Sequence, residues 1–218
     1  MKRTIILFFA LLWITAGAVA QQVYTPTADN LQNRAEFQDM KFGVFIHWGI
    51  YSMMADGEWI MNNKNIQYQE YALLANGFYP SNFSAAKWVS DVKAAGAKYI
   101  CITSRHHDGF SMFGTKQSPY NIVDATPFGR DVIKELADEC HKQGIKLHFY
   151  YSLLDWSRAD YNPMGRTGNG VGRTEKGEWK NYHNFMLGQL TELLTNYGEI
   201  GAIWFDGQWD QPGDFDWR

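Results

Sequence analysis

Four short runs rich in aliphatic and aromatic residues, each ending in polar side chains, constrain this chain more than any other feature. They are "KFGVFIHWG" (41–49), "AKYICITSRHHDG" (97–109), "IKLHFYYSLLDW" (145–156) and "EIGAIWFDG" (199–207). Between them lie "PSNFSAAKWVSDVKAAG" (80–96), "RDVIKELADECHKQG" (130–144) and "WKNYHNFMLGQLTELLTNYG" (179–198). These carry apolar residues at helical spacing and stop at glycine, and Ser84 reads as a helix cap. Strands alternating with helices in the order β-α-β-α-β-α-β predict an α/β fold with a parallel sheet. No GxGxxG follows a strand, which argues against a dinucleotide-binding fold. The Gly-, Arg- and Asn-rich stretch 157–177 reads as a mobile loop or a binding rim.

The polar residues share one position in every unit. The first run ends in His47-Trp48 and the second in Arg105-His106-His107-Asp108. The third ends in Tyr150, Tyr151 and Ser152, then Asp155-Trp156; the fourth ends in Asp206. Chemistry gathered at the C-terminal ends of parallel strands is the arrangement of a (β/α)8 barrel. An open doubly wound sheet also binds ligands there, so this pattern alone does not choose between the two.

Composition narrows the function. A formal net charge of −3 gives no basic footprint for nucleic acid. Aromatic residues make up 16% of the chain, enough to supply stacking platforms for ligands such as sugars as well as a core. The start "MKR", the apolar run "TIILFFALLWITAG" and the small-x-small site Ala18-Val19-Ala20 predict a signal peptide over residues 1–20. The apolar run is short of the roughly 20 residues that span a bilayer. Residues 21–218 are then expected as one exported domain, periplasmic or extracellular, with no membrane span. Cys101 falls in a strand pattern and Cys140 in a helix pattern, so both read as buried thiols.

Asp206 has two readings. A carboxylate closing an apolar strand can sit at the floor of a cavity and attack an electrophilic carbon. It can equally be the aspartate of an Asp-Gly turn. His106 and His107 are adjacent, so in regular strand geometry they face opposite ways; a chain turning at the strand end brings both to one cavity. Neutral imidazoles there can hydrogen-bond ligand hydroxyls. A metal held by His106, His107 and Asp108 is a weaker reading, because consecutive residues rarely share one ion without a distant ligand. His47-Trp48 and Glu58-Trp59 each set a hydrogen-bonding group beside a stacking ring.

Taken in order, "FGVFIHWGIYS", "EWI", "YICITSRHHDGFSMF", "YYSLLDW" and "IWFDG" resemble the family 29 glycoside hydrolases, the α-L-fucosidases. The resemblance runs from about Lys41 to Trp209. It implies a (β/α)8-like barrel of which about the first half is present, and a retaining mechanism acting on fucosylated glycans without metal or cofactor. It also implies Asp206 as nucleophile and His47, His106 and His107 as pocket residues. Glu58 and Trp59 would contact the sugar, and Trp204 would belong to the pocket wall. A tyrosine of "YYS" would lie near the nucleophile, with Tyr151 expected over Tyr150. The second carboxyl of a retaining enzyme has no counterpart after Asp206, because no glutamate follows it; Glu58 is the candidate within the chain. The alternative is an inactive carbohydrate-binding paralogue that keeps the pocket without the acid.

Overall fold

The structure is a computed structural model that describes residues 24–174 and 176–217. The expected signal peptide lies outside these residues. Four parallel strands form one sheet in sequence order: β1 (Gly43–Ile46), β2 (Tyr99–Arg105), β3 (Lys146–Ser152) and β4 (Ala202–Asp206). Helices precede and connect them. In chain order they are α1 (Ala28–Met40), α2 (Ile60–Asn63), α3 (Tyr68–Ala72), α4 (Ala85–Ala94), α5 (Val132–Gln143) and α6 (Trp179–Thr195).

The crossover helices form where their caps and apolar stripes dictate. Ser84 caps α4 by accepting from the Lys87 N–H, as its position in the sequence suggests. Asp131 does the same for α5 at Lys134, and Gly144 ends that helix at φ 74°, a left-handed conformation that glycine adopts without a Cβ clash. Val132, Ile133, Leu136, Ala137 and Cys140 put one face of α5 in the core. Each of the larger side chains contributes about 1.5–3 kcal/mol by that burial. In α6 the buried face is Tyr182, Phe185, Met186, Gln189 and Leu193. Both cysteines are buried free thiols.

Strand alternation sorts the sheet into two faces. Through the registers Phe45↔Cys101↔His148↔Ala202, Tyr150↔Trp204 and Ser152↔Asp206, one face carries Phe45, His148, Tyr150, Trp204 and Asp206. The other carries Ile100, Ile102, Leu147 and Phe149, all fully buried.

The fourth strand is apolar in sequence yet exposed. Trp204 is 59% exposed and Phe205 46%, and β4 lies at the sheet edge. Phe42 and Phe45 on or beside β1, at the opposite edge, are also exposed. α1 is another surprise. It buries no side chain, so no apolar stripe marks it in the sequence.

The long connection after β3 is tied down rather than loose. Tyr161 and Val171 within it are fully buried. Its Tyr161 hydroxyl and Thr167 N–H donate to the Asp210 carboxylate at 2.8 and 2.9 Å. Its Gly168 N–H donates to Asn62 Oδ1 on α2 at 2.8 Å. The chain thereby walls one side of the strand ends.

Candidate active site

All four strands deliver polar side chains to the same end of the sheet. The His47-Trp48 segment is pinned to β2 by Thr103, whose hydroxyl donates to the Trp48 carbonyl at 2.6 Å and accepts the Trp48 N–H at 3.0 Å. A register irregularity between Thr103 and Arg105 re-aims the end of β2. As a result His106 and His107 both turn to one side, with ring centroids 4.2 Å apart. Arg105 turns the other way, under α6, where it pairs with the buried Asp155 and touches Tyr182.

Asp206 is the hub. Tyr150 donates its hydroxyl to Oδ2 at 2.7 Å, Trp209 donates Nε1–H to Oδ1 at 2.9 Å, and the Gly207 N–H donates to Oδ1 at 2.7 Å. Gly207 sits at φ 94°, which lets the chain turn sharply after the carboxylate and bring Trp209 back to it. His107 Nε2 stands 3.5 Å from Oδ2 with no hydrogen bond formed. Partial burial by itself would raise the Asp206 pKa. The Tyr150 and Trp209 hydrogen bonds outweigh it, with help from the Gly207 N–H, and hold the group below the ordinary carboxylate value. Asp206 is therefore an anion at neutral pH, partly open to solvent.

The ring system around it is continuous. His47 lies 5.0 Å from both His106 and Tyr150, and His106 stacks on Tyr150 at 5.7 Å. Trp59 stacks on Trp209 at 5.6 Å and meets His107 edge-on at 5.5 Å. Trp204 meets Phe45 edge-on at 5.6 Å, on the same sheet face as Tyr150. Glu58 is half-buried, and its charge acts on His47.

All three histidines are held neutral. Desolvation is the main cause for each. It is opposed at His47 by the charges of Glu58 and Asp206, and it is reinforced at His106 by the neighbouring imidazoles and Arg105. For His107 burial also dominates, with Asp206 opposing. Neutral imidazoles beside an ionised carboxylate, walled by indole rings, suit a polyhydroxylated ligand with one apolar face. Among the described residues, no three His, Cys, Asp or Glu side chains gather as a metal site would require. Asp108, the third member of the metal reading, instead accepts from Tyr71 and the Phe110 N–H.

One expectation needs correcting. Tyr151 does not approach Asp206. It shares its sheet face with Leu147 and Phe149, is fully buried, and donates to Gln189 of α6 at 2.9 Å. Tyr150 occupies the role expected of Tyr151, because strand alternation puts Tyr150 on the face of Trp204 and Asp206. Sequence reasoning also missed Trp209 as a partner of the carboxylate. The stretch "DGQW" contained the signal, a glycine turn with an indole three residues on.

Tyr150→Phe should raise the Asp206 pKa, since it deletes a donor to the ionised form. A hydrogen bond to a charged group is worth about 1.5–3 kcal/mol. Carboxyl titration followed by carbon-13 NMR reads this directly, and an unmoved Asp206 would show that the Tyr150 contact carries no weight.

A family model described as Alpha-L-fucosidase matches residues 11–218. The alpha-L-fucosidase of Dictyostelium discoideum is 30% identical over 242 residues, covering 99% of this chain and 50% of that protein. The structure of alpha-L-fucosidase isoenzyme 1 from Paenibacillus thiaminolyticus superposes with a TM-score of 0.76 at 39% identity, over 81% of this chain and 43% of that one. The alpha-L-fucosidase AlfC from Lactobacillus casei, solved with its alpha-L-fucose product, superposes with a TM-score of 0.72 at 37% identity, over 80% of this chain and 62% of that one. The chain spans about half the length of the curated relatives it matches. Four parallel strands with alternating helices thus fit a partial barrel of the kind that forms the catalytic domain of those enzymes. On the match over nearly its whole length, this chain belongs to the alpha-L-fucosidase family.

Proposed function

We propose that this chain is the nucleophile-bearing half of a retaining α-L-fucosidase that releases fucose from fucosylated glycans. The observation that carries the reading is the environment of Asp206, an anion held in place by Tyr150, Trp209 and Gly207 among neutral histidines. In this mechanism Asp206 attacks the anomeric carbon and forms a glycosyl-enzyme ester as the aglycone leaves. Water then attacks the anomeric carbon from the opposite face, breaking its bond to Asp206 and releasing the carboxylate, and the two inversions restore the original configuration. His47, His106 and His107 hydrogen-bond sugar hydroxyls, and Glu58 joins them at the rim. Trp59 and Trp204 supply apolar walls for the sugar ring.

A retaining site places its acid/base carboxyl about 5–5.5 Å from the nucleophile. We assign that carboxyl to the part of the family length that these 218 residues do not span. The 218 residues alone should accordingly turn over little or no substrate. Export of the enzyme, with cleavage after Ala20, completes the reading; the intact mass of secreted protein checks it.

The test is stereochemical. A chain extended by the remaining family length is given an aryl α-L-fucoside, and the first-formed sugar is read by proton NMR before mutarotation. Retention yields α-L-fucose first. β-L-fucose as the first product would refute the retaining assignment, and binding of fucose without turnover would favour the inactive carbohydrate-binding paralogue.

A further inference from the structure

Ser152 closes β3 on the same face as Asp206, with which it is in register. Its single hydroxyl has two close neighbours. One is the Leu154 carbonyl oxygen at 2.6 Å, and the other is His107 Nδ1 at 2.7 Å. A carbonyl oxygen can only accept, so the short contact to Leu154 takes the serine proton. If that proton pointed at His107 instead, two oxygen acceptors would face each other at 2.6 Å inside the protein with nothing between them. The His107 contact must therefore run from Nδ1–H to Ser152 Oγ. Burial keeps the imidazole neutral, so its one proton is spent on Nδ1 and Nε2 is bare.

We propose that Ser152 is a positioning residue that locks His107 in the Nδ1–H tautomer, so that Nε2 presents a hydrogen-bond acceptor to the pocket beside Asp206. Three observations give this tautomer a use. His107 is fully buried, its Nε2 has no hydrogen-bond partner among the described residues, and that atom lies 3.5 Å from Asp206 Oδ2. Two acceptors that close accept a donor between them and repel another acceptor. The subsite therefore selects a ligand group that brings an O–H: a ring hydroxyl fits, and an ether or carboxylate oxygen at the same place does not. The Ser152→Leu154 bond sets this selection from behind the ring, because Leu154 belongs to the turn that also fixes Asp206: the Leu153 N–H donates to the Asp206 carbonyl at 2.7 Å. The consequence for ligand choice rests on the glycosidase reading of the same pocket. The tautomer itself does not.

Two-bond proton–nitrogen correlation spectra of a chain extended to the family length, labelled with nitrogen-15 histidine and recorded at neutral pH, test it without substrate or turnover. His107 is assigned by the signal lost in His107→Asn. The wild-type ring should show a protonated Nδ1 and a bare Nε2. In Ser152→Ala more than half of the His107 population should move to the Nε2–H form, which can donate to Asp206. Ser152→Thr keeps the hydroxyl and should keep the wild-type form. His141, at the Glu199 carbonyl, and His148, stacked on Tyr99, are engaged away from Ser152 and His107, so both should hold their positions in both variants and report an intact fold. An Nε2–H ring in the wild-type chain overturns the proposal even if Ser152→Ala does not fold, and so does an unchanged Nδ1–H ring in Ser152→Ala. The stereochemical experiment can fail while this one succeeds, and the reverse also holds.

Discussion

Asp206→Gly, in a chain extended to the family length, should lower hydrolysis of an aryl α-L-fucoside by on the order of 10⁴-fold or more, the scale seen when an enzyme loses its nucleophile. The fold should survive. Asp206 is half-buried at the edge strand, so water entering the vacated volume can take up the donors that it leaves among the described residues: Tyr150, Trp209 and Gly207. Covalent catalysis divides one displacement into two, and this carboxylate would carry out the first of them. Added azide can occupy the vacated volume and attack the anomeric carbon, so part of the rate should return. His106→Ala is the contrast. On the proposed function it would remove a sugar contact and leave a partner hydroxyl unpaired, a loss of about 1–3 kcal/mol that azide would not restore. Initial rates with and without azide separate the two variants.

Asp155→Ala should be the most destabilising single change near the site, by about 3–5 kcal/mol. Arg105 and Asp155 are both fully buried and paired with each other. The carboxylate also accepts the Ser157 and Arg158 N–H groups, at 2.6 and 3.0 Å, and so folds the chain leaving β3. Removing it leaves a guanidinium in the interior with, among the described residues, the Ser152 carbonyl and the Tyr182 hydroxyl as its remaining acceptors. Urea unfolding followed by circular dichroism should show the loss as a lower midpoint with an unchanged slope. The double change Arg105→Met with Asp155→Leu should recover most of it, because it removes the buried charge along with its partner. Equal stability of Asp155→Ala and the parent would mean that the pair is dispensable.

The fold was legible in the sequence wherever its cause is local. Ser84 caps one helix, Gly144 ends another, and alternating strands and helices specify a parallel sheet with its polar residues at one end. α1 left no trace because it buries nothing, so no 3.6-residue stripe exists to be found. The exposure of Trp204 and Phe205 was hidden for another reason: an apolar strand has the same composition whether or not its neighbour strand is present. At the site, Tyr150 could have been chosen over Tyr151 from alternation alone. Leu147 and Phe149 mark the helix-facing parity, and Tyr151 shares it. By contrast, the convergence of His106 and His107 depends on a register irregularity at Thr103/Arg105 that no residue type announces. In the sequence Ser152 reads as a strand end, and its link to His107 is invisible there, because hydrogen-bond direction depends on where the Leu154 carbonyl points.

The anomeric configuration of the azide product from Asp206→Gly tests the central claim most directly. If Asp206 lies beneath the anomeric carbon, azide enters from the face that the carboxylate left, and one inversion gives β-L-fucosyl azide. Proton NMR distinguishes that anomer from the α form. Formation of the β-azide with restored turnover is the expected result. Wild-type-like activity in Asp206→Gly, or an α-azide, would contradict the assignment of Asp206 as the nucleophile.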